Sequence, residues 1–596
     1  MTRDTEVPAR AARAWALVPF LVFALLFAAT FKRWVLPFQD SGRELGTALR
    51  IARGEALYRD VGYSYGPLPA FLDAALVRAF GREIDPLIAL RTAIGLLGVE
   101  ALRRLARRLA PDDACASAVT SFIVAACFFD TGGAYPFPYS AAALEGTVGT
   151  WWALELALSA RNLRGAIAAG LLGGLAGGCK LEVAPAAVAA VAVTLALRRP
   201  RGEATAGAAL AAALAGTALV APVLLYGRDV MTRHGFLLAL AMPQPLRELY
   251  ERSLLFGGTT ALGFRSGGWK DVLYPSAVCL GAVLLVLTNR GIARFAPPPL
   301  AFAAGLASRW SPRNAELHVL LPLAAGIAVF ELGRAARART RGDAAAERCG
   351  LAVAMLPALA RQPFFLRNLI YGAFAAPLAL LTSLTWIARR VAARRSFTAL
   401  LFGLACAQGL RRWDEVGRQP VVWTRLPGAS LYLPKEESAF LTQLVETLPR
   451  AAGPGGYAAT FPEPGFVSFV TGLNNPFVDE AFMPGQQDVP AQEEMVRALR
   501  MRKPALVFTN RPFPEYGTGT YGAGILDLFF LEVGHAYLGV AKLGGLPLGT
   551  HRQRHASEGL LLVPAERVPP ALRVQAAQAP APATPALPAR GSGTRH

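Results

Sequence analysis

The chain has 596 residues, 53% of them hydrophobic, with a mean hydropathy of +0.36 and a formal charge of +20. That length and apolarity exclude an ordinary soluble domain and indicate a polytopic membrane protein. The basic residues fall in clusters between apolar segments instead of forming one soluble patch, so they read as topology signals and not as a nucleic-acid surface.

Arg3, Arg10 and Arg13 precede an apolar run from Ala14 to about Phe31. Its length and the lack of a small-residue cleavage site favour an uncleaved anchor over a signal peptide. Directly behind it come Phe38-Gln39-Asp40-Ser41-Gly42-Arg43-Glu44, then Gly54-Glu55-Ala56-Leu57-Tyr58-Arg59-Asp60-Val61 and Tyr65-Gly66-Pro67-Leu68. Ser41 and Glu44 have capping-box spacing. The helix behind them sets Leu45, Ala48, Leu49 and Ala52 against Arg43, Arg50 and Arg53, and Gly54 suits its C′ position. An apolar and arginine-rich helix of this kind is expected to lie in the headgroup plane. Asp40 stands at its N-terminus, where an anion supports the cap or does chemistry.

Further apolar segments follow at 87–102, 114–129, 139–159, 164–179, 183–197, 206–226, 272–288, 297–309, 316–332, 349–361, 367–388 and 396–410. The stretch 66–80 is short, holds Pro67 and Pro69, and carries Asp73 and Arg78. Read as interfacial or re-entrant, it brings Arg103/Arg104/Arg107/Arg108 and every later arginine cluster, through Arg389/Arg390/Arg394/Arg395, to one side. About thirteen spans result, with the N-terminus cytoplasmic and the C-terminal region outside. The Asp40 loop, Asp130–Tyr139, the Lys180 region, 227–271 and the stretches near Arg313 and Arg367 then share the outer side.

From about Trp413 hydropathy falls and helix and strand patterns alternate. Glu437–Leu448, Gly465–Leu473 and Ala491–Met501 are helix-like, and Gly456–Thr460, Ala505–Thr509 and Ala536–Lys542 are strand-like. The domain plan is a transmembrane part over 1–412 with a first extracytoplasmic loop over 32–86, a small extracytoplasmic α/β domain over 413–568, and a disordered Ala/Pro-rich tail over 569–596. The six cysteines, at 115, 127, 179, 279, 349 and 406, form no C-x-x-C motif. His551 and His555 lack a third ligand, and no P-loop, G-x-G-x-x-G, nucleophile elbow or H-E-x-x-H is present, so a cytoplasmic nucleotide-sugar donor is unsupported.

An Asp just past the first span, a short helix, and then G-x-x-L-Y-x-D-x-x-Y-x-Y-G-P-L together resemble the first extracytoplasmic loop of membrane glycosyltransferases of the C fold (GT-C). The nearest likeness is to bacterial relatives of protein O-mannosyltransferases and lipid A aminoarabinose transferases. The resemblance implies an α-helical polytopic membrane protein of the inner (cytoplasmic) membrane that moves a monosaccharide, with inversion, from a polyprenyl-phosphate donor to an extracytoplasmic glycolipid, polysaccharide or protein. It implies that Asp40 activates the acceptor hydroxyl.

Asp130, followed by Thr131-Gly132-Gly133 and Pro136-Phe137-Pro138-Tyr139, resembles the second acidic loop of these enzymes, with a solvated helix end as the plain alternative. Lys180 is one of only six lysines among 61 basic residues. The run Gly173 to Glu182 looks like their G-L-x-x-L-T-K motif, with Gly178 and Cys179 in place of Leu-Thr, and Lys180 pairs either with Glu182 or with a lipid phosphate. Ser311-Pro312-Arg313-Asn314-Ala315-Glu316-Leu317-His318 resembles the P-R-x-D-x-x-H-L loop without its aspartate in register. Arg313 would fork a phosphate, His318 would hydrogen-bond the donor, and Arg367 adds an outer-side cation. Glu44, Tyr58, Asp60 and Tyr65 shape the first loop. No motif calls for a cofactor, and a lone loop carboxylate works with or without a divalent metal. The competing class is a transporter or lipid flippase, for which Glu100 and Glu155 inside apolar runs are the best evidence. A scaffold displaying the C-terminal domain would leave Asp40→Ala silent.

Overall fold

The computed structural model describes residues 9–33, 35, 37–38, 40–129, 140–239, 297–310, 321–338, 342–355, 369–391, 393–418, 420–461, 463–480, 482, 489–509, 527–544 and 558–568. Its helices up to residue 417 are α1 (Ala9–Thr30), α2 (Asp40–Ala52), α3 (Pro67–Phe80), α4 (Ile84–Leu109), α5 (Asp113–Cys127), α6 (Ala141–Ser159), α7 (Leu163–Gly177), α8 (Val183–Arg198), α9 (Arg201–Tyr226), α10 (Arg228–Arg233), α11 (Pro298–Ala307), α12 (Leu321–Ala338), α13 (Asp343–Ala354), α14 (Leu369–Arg390) and α15 (Arg394–Gly417). The chain divides into two compact units, the first made of Met1–Val35, Ser64–Met231 and Leu254–Pro420.

In the first unit, helix starts follow local chemistry. Asp112 accepts from the Cys115 amide at 2.8 Å, Ser140 from Ala143 at 3.2 Å, and Asn162 from Gly165 at 3.0 Å, each satisfying an otherwise orphaned N–H. The expected segments between 87 and 226 each coincide with one helix, α4 to α9, while 272–288 lies outside the described residues. The stretch 66–80 forms the continuous helix α3, with Pro67 in its first turn, and stops at Gly81, whose φ of 78° suits glycine alone.

Among the described residues two helices, α1 over Arg13–Thr30 and α9, are long and apolar enough to cross a membrane by themselves, and α5, α7, α8 and α11 are apolar but shorter. Leu17, Leu21 and Leu25 on α1 and Leu224 and Leu225 on α9 point outward, as suits a lipid-facing surface. Packing between helices relies on small residues. A Cβ at Gly170 would stand 2.2 Å from the Gly207 carbonyl oxygen on α9, and one at Gly403 on α15 would stand 2.2 Å from the Phe302 carbonyl oxygen on α11. Close backbone approach of this kind replaces a hydrophobic driving force where the solvent is hydrocarbon. Glu100 pairs with Arg103 and Arg104, each at 2.7 Å, and Glu155 with Arg108 at 2.8 Å. Both glutamates that make the case for a transport path are therefore closed in ion pairs.

The second unit joins Leu36–Tyr63 and Thr232–Ser253 to Val421–His596. Strands β1 (Val421–Leu426) and β2 (Ala429–Pro434) form an antiparallel hairpin turning on Pro427 and Gly428, whose φ of 75° fits the third position of a type II turn. After α16 (Lys435–Ala452) come β3 (Ala458–Phe461), α17 (Gly465–Thr471), α18 (Val489–Arg502), β4 (Ala505–Thr509), α19 (Asp527–Ala536), β5 (Tyr537–Gly544) and β6 (Glu558–Pro564). The four-stranded sheet has the order β3-β4-β6-β5, with β3 parallel to β4 and the other pairs antiparallel. Its core gathers aromatic rings around Phe461, with Phe482 and Phe508 both at 4.6 Å and Phe529 at 5.3 Å. The boundary expected at 412 falls inside α15, which runs on to Gly417.

Helix α2 belongs to this second unit and corrects two expectations. It is buried almost throughout from Ser41 to Ile51, Arg43 aside, and Arg50 is only 3% exposed, so its arginine face does not lie free in a headgroup plane. The reason is close packing on α17: a Cβ at Gly46 would stand 2.4 Å from Gly465 Cα, and one at Gly465 would stand 2.2 Å from the Gly42 carbonyl oxygen. The expected place of Ser41 at the N-cap is corrected as well. The helix begins at Asp40, which puts Ser41 inside it, and the Glu44 carboxylate accepts from the Tyr63 hydroxyl at 2.9 Å.

Candidate functional site

Asp40, Glu44 and Asp60 of the first loop differ in their surroundings. Asp40 opens α2 with about a third of its side chain exposed, 35%. Arg43, one helical turn on, donates to its Oδ1 at 2.5 Å, and this is its only partner among the described residues. Glu44 is 3% exposed and holds the Tyr63 hydroxyl. Asp60 closes the turn after α2: its Oδ2 accepts from the Ala56 amide at 2.8 Å and from Arg59 at 2.7 Å. The hydrogen bonds from Arg59 hold the Asp60 carboxyl below the usual carboxylate range, against a smaller opposing effect of burial.

Tyr58 takes a φ of 71° in this turn, an unfavourable conformation for a bulky residue. It is fully buried, its amide bonds the Val61 carbonyl at 2.8 Å, and its ring meets Phe236 edge-on at 5.8 Å. These contacts over-determine the turn, which is what a strained residue requires.

Arg50 is the hub under the loop. Its guanidinium donates to Glu480 at 2.7 Å, to Glu55 at 2.7 Å, and to the carbonyls of Phe477 at 2.8 Å and Asp60 at 2.5 Å. Burial works against the Arg50 charge, but Glu480 and Glu55 outweigh it and raise its pKa. Complete burial pushes the Glu480 carboxyl above its ordinary range, although Arg50 and Asn475 both favour the anion. Beside them His234 Nδ1 lies 2.9 Å from Asp479 Oδ1. Burial disfavours the imidazolium, yet the hydrogen bond and charge of Asp479 prevail and raise the histidine's pKa. Arg53, Arg59, His234, Tyr457, Asn474 and Arg502 line part of a cavity of about 590 Å³ at this end of α2.

In the first unit Lys180 sits at the corner between α7 and α8, 8% exposed. Its Nζ is 2.8 Å from Glu182 Oε1 and 5.2 Å from the centre of the Tyr65 ring. The Lys–Glu pairing and a cation–π contact thus account for the lysine locally. Asp130, Arg313, His318 and Arg367, as well as His551 and His555, lie outside the described residues. Among the described residues no group of three or more His, Cys, Asp or Glu side chains is arranged to hold a metal.

Sequence reasoning missed the Arg50–Glu480 and His234–Asp479 links, because each joins parts of the chain far apart in sequence. The one local signal was the spacing of Gly42 and Gly46, four apart on a helix that otherwise reads as a surface helix. A small-residue pair of that spacing admits a close neighbour.

No protein-family model matches the chain, and no curated protein matches it. Among solved structures the chain is similar to ArnT from Cupriavidus metallidurans in the apo state, at 11% identity over 93% of this chain and 98% of that one, with a TM-score of 0.40. It is similar to the same organism's ArnT bound to undecaprenyl phosphate, at 12% identity over 93% and 98%, with a TM-score of 0.39. A third is the Archaeoglobus fulgidus oligosaccharyltransferase tethered with an acceptor peptide containing the NVT sequon, at 13% identity over 88% of this chain and 72% of that one, with a TM-score of 0.44.

Proposed function

We propose that the chain is a membrane glycosyltransferase that moves a monosaccharide from a polyprenyl-phosphate donor to an extracytoplasmic glycolipid, polysaccharide or protein, with Asp40 activating the acceptor hydroxyl. The supporting observation is the contrast among the first-loop carboxylates. Glu44 is buried against Tyr63 and both oxygens of Asp60 are held by Arg59, with the Ala56 amide on one, whereas Asp40 at a partly exposed helix start has a hydrogen bond on one oxygen alone among the described residues. A general base needs an accessible lone pair and a fixed orientation, and Arg43 on the other oxygen supplies the second.

In this reading Asp40 takes the proton of the acceptor hydroxyl as its oxygen bonds the anomeric carbon from the face opposite the departing lipid phosphate. Lys180, Arg313 and Arg367 are assigned to the phosphate, His318 to the donor, and Asp130 is a secondary catalytic carboxylate, on the motifs that carry them. Glu182 as the partner of Lys180 orients that lysine where it would meet a phosphate. The closed ion pairs of Glu100 and Glu155 weigh against the transporter alternative.

The test is transfer of labelled sugar from a panel of polyprenyl-phosphate sugars into envelope material, comparing wild type with Asp40→Asn at matched membrane abundance. Loss of transfer in the variant is the expected result. Equal transfer by both would remove Asp40 from the chemistry, and no transfer by either across the panel would overturn the transferase reading.

A further inference from the structure

The first compact unit holds a second cavity, of about 350 Å³, where the C-terminal ends of α4 and α14 meet α12 and α13. Its inner wall is apolar, with Ile327, Ala352 and Met355, and its rim carries Arg348, Arg389 and Arg390. The one acid on the lining among the described residues, Glu331, is already held by Arg334 at 2.9 Å and Arg348 at 3.3 Å. Arg389 donates to the Arg108 carbonyl at 2.8 Å and Arg390 to the Trp386 carbonyl at 3.3 Å. Neither forms an ion pair among the described residues, although the charge of Glu331 reaches Arg390 and that of Glu347 reaches Arg389, and the lining itself carries three arginines to one acid.

The depth of this cavity is set by the helices. Apolar α14 ends in Arg389 and Arg390, and the Arg390 guanidinium lies 4.1 Å from the centre of the Trp386 ring. Tryptophan beneath arginine at a helix end is the arrangement of a membrane interface, the ring at headgroup level and the charge reaching to the phosphates. On α12, Val329 and Phe330 beside Glu331 point outward, 72% and 61% exposed, and offer apolar surface next to the cavity mouth.

We infer that this cavity seats the phosphate-bearing headgroup of an anionic membrane lipid. Arg389 and Arg390 meet the phosphate, the Ile327–Met355 wall takes the glycerol or first methylenes, and an acyl chain runs down past Val329 and Phe330. Basic pockets between spanning helices at the arginine-rich side take such headgroups. The inference is independent of the transferase reading, since none of these residues has a part in it.

The experiment uses the full chain in nanodiscs of phosphatidylcholine doped with phosphatidylglycerol, measuring retained lipid by native mass spectrometry after extraction. Wild type is expected to keep phosphatidylglycerol over phosphatidylcholine. Arg389→Gln with Arg390→Gln leaves Arg394 and Arg395 to hold the topology and should weaken retention about thirtyfold, the loss expected for two arginines at an anionic lipid surface. The charge-conserving double variant, Arg389→Lys with Arg390→Lys, should recover most of it, and Thr382→Phe, which fills the cavity while keeping the charges, should lose it. A competition arm with a polyprenyl phosphate separates the two sources of the same chemistry: displacement by that lipid alone assigns the seat to the carrier, and equal displacement by phosphatidylglycerol assigns it to bulk lipid. Retention equal in wild type, the glutamine variant and Thr382→Phe, or equal retention of phosphatidylcholine, would overturn the inference.

Discussion

Arg50→Met tests whether the second unit is built around a buried charge. The substitution keeps much of the side-chain volume and removes the guanidinium's hydrogen bonds to Glu480, Glu55 and the carbonyls of Phe477 and Asp60, leaving Asn475 as a neutral donor to Glu480. The Glu480 side chain is 0% exposed, so its carboxylate is left in the interior without a counter-charge. Breaking a buried pair in this way costs about 3–5 kcal/mol, far more than a surface pair. A single unfolding free energy is poorly defined for a chain of two compact units, but local opening is measurable by hydrogen exchange. The Gly62 amide, which donates to the Val478 carbonyl at 2.8 Å beside Arg50, is a direct reporter. Its protection should fall roughly a hundredfold to several thousandfold in Arg50→Met, taking 1.36 kcal/mol per tenfold. Arg50→Met with Glu480→Leu removes both charges and should lose less than the single variant. Burial raises the Glu480 pKa in the folded chain, so the native state binds this proton more tightly than the unfolded one and stability rises as pH falls. The Arg50→Met defect should therefore be smaller at pH 5 than at pH 8. Unchanged Gly62 protection, or a double variant worse than the single one, would refute the reasoning.

The packing of α2 on α17 gives another expectation. Gly46→Ala places a Cβ 2.4 Å from Gly465 Cα and 2.7 Å from Glu480 Oε2, which should cost about 1–3 kcal/mol and deprotect residues 41–51, while Gly202→Ala at the start of α9, where a Cβ meets nothing, should not destabilise. His234 supplies a pH signature. Its folded pKa lies above the ordinary 6.5, so the Asp479 link is at full strength below that value and is lost as pH rises through the folded pKa. Exchange-corrected protection of 232–239 should fall as pH rises above about 6.5 in wild type and stay flat in His234→Gln.

The helices between 87 and 226 were legible because they are apolar runs punctuated by arginines, three of them with Asp, Ser or Asn caps, all of them local signals. The Lys180 corner was legible for the same reason, since Glu182 is two residues away. The second unit was harder. Leu45, Ala48, Leu49 and Ala52 make the same stripe whether lipid or protein covers it, and the acid that neutralises Arg50 lies at position 480. The hairpin over 421–434 had a readable signature, Val421-Val422-Trp423-Thr424 and Leu431-Tyr432-Leu433 around Pro427-Gly428, whereas β6 is a leucine run with no alternation and weak strand preference.

The resemblance singles out Asp40 and leaves Glu44 and Asp60 to shape the loop, but spacing alone does not say how the surroundings of the three differ. Burial sets Glu44 apart, Asp40 and Asp60 are exposed alike and differ in their hydrogen bonds, and the placement of α2 itself is set by glycines. A Cβ at Gly42 would stand 2.1 Å from the Pro37 carbonyl oxygen and 3.0 Å from Phe466 Cβ, so the chain entering α2 and the face it packs on are both held at that residue. The next turn, at Gly46, is held against Gly465. A helix pinned at two successive turns has little freedom to rotate or slide, and its first residue is carried to a set position by the backbone, with Arg43 fixing the carboxylate from within the same helix. Positioning by rigid secondary structure is what a general base needs if its proton transfer is to be aligned before the acceptor arrives. Loosening α2 at Gly46 should therefore reduce transfer together with protection of 41–51, even though Asp40 and Arg43 are both intact.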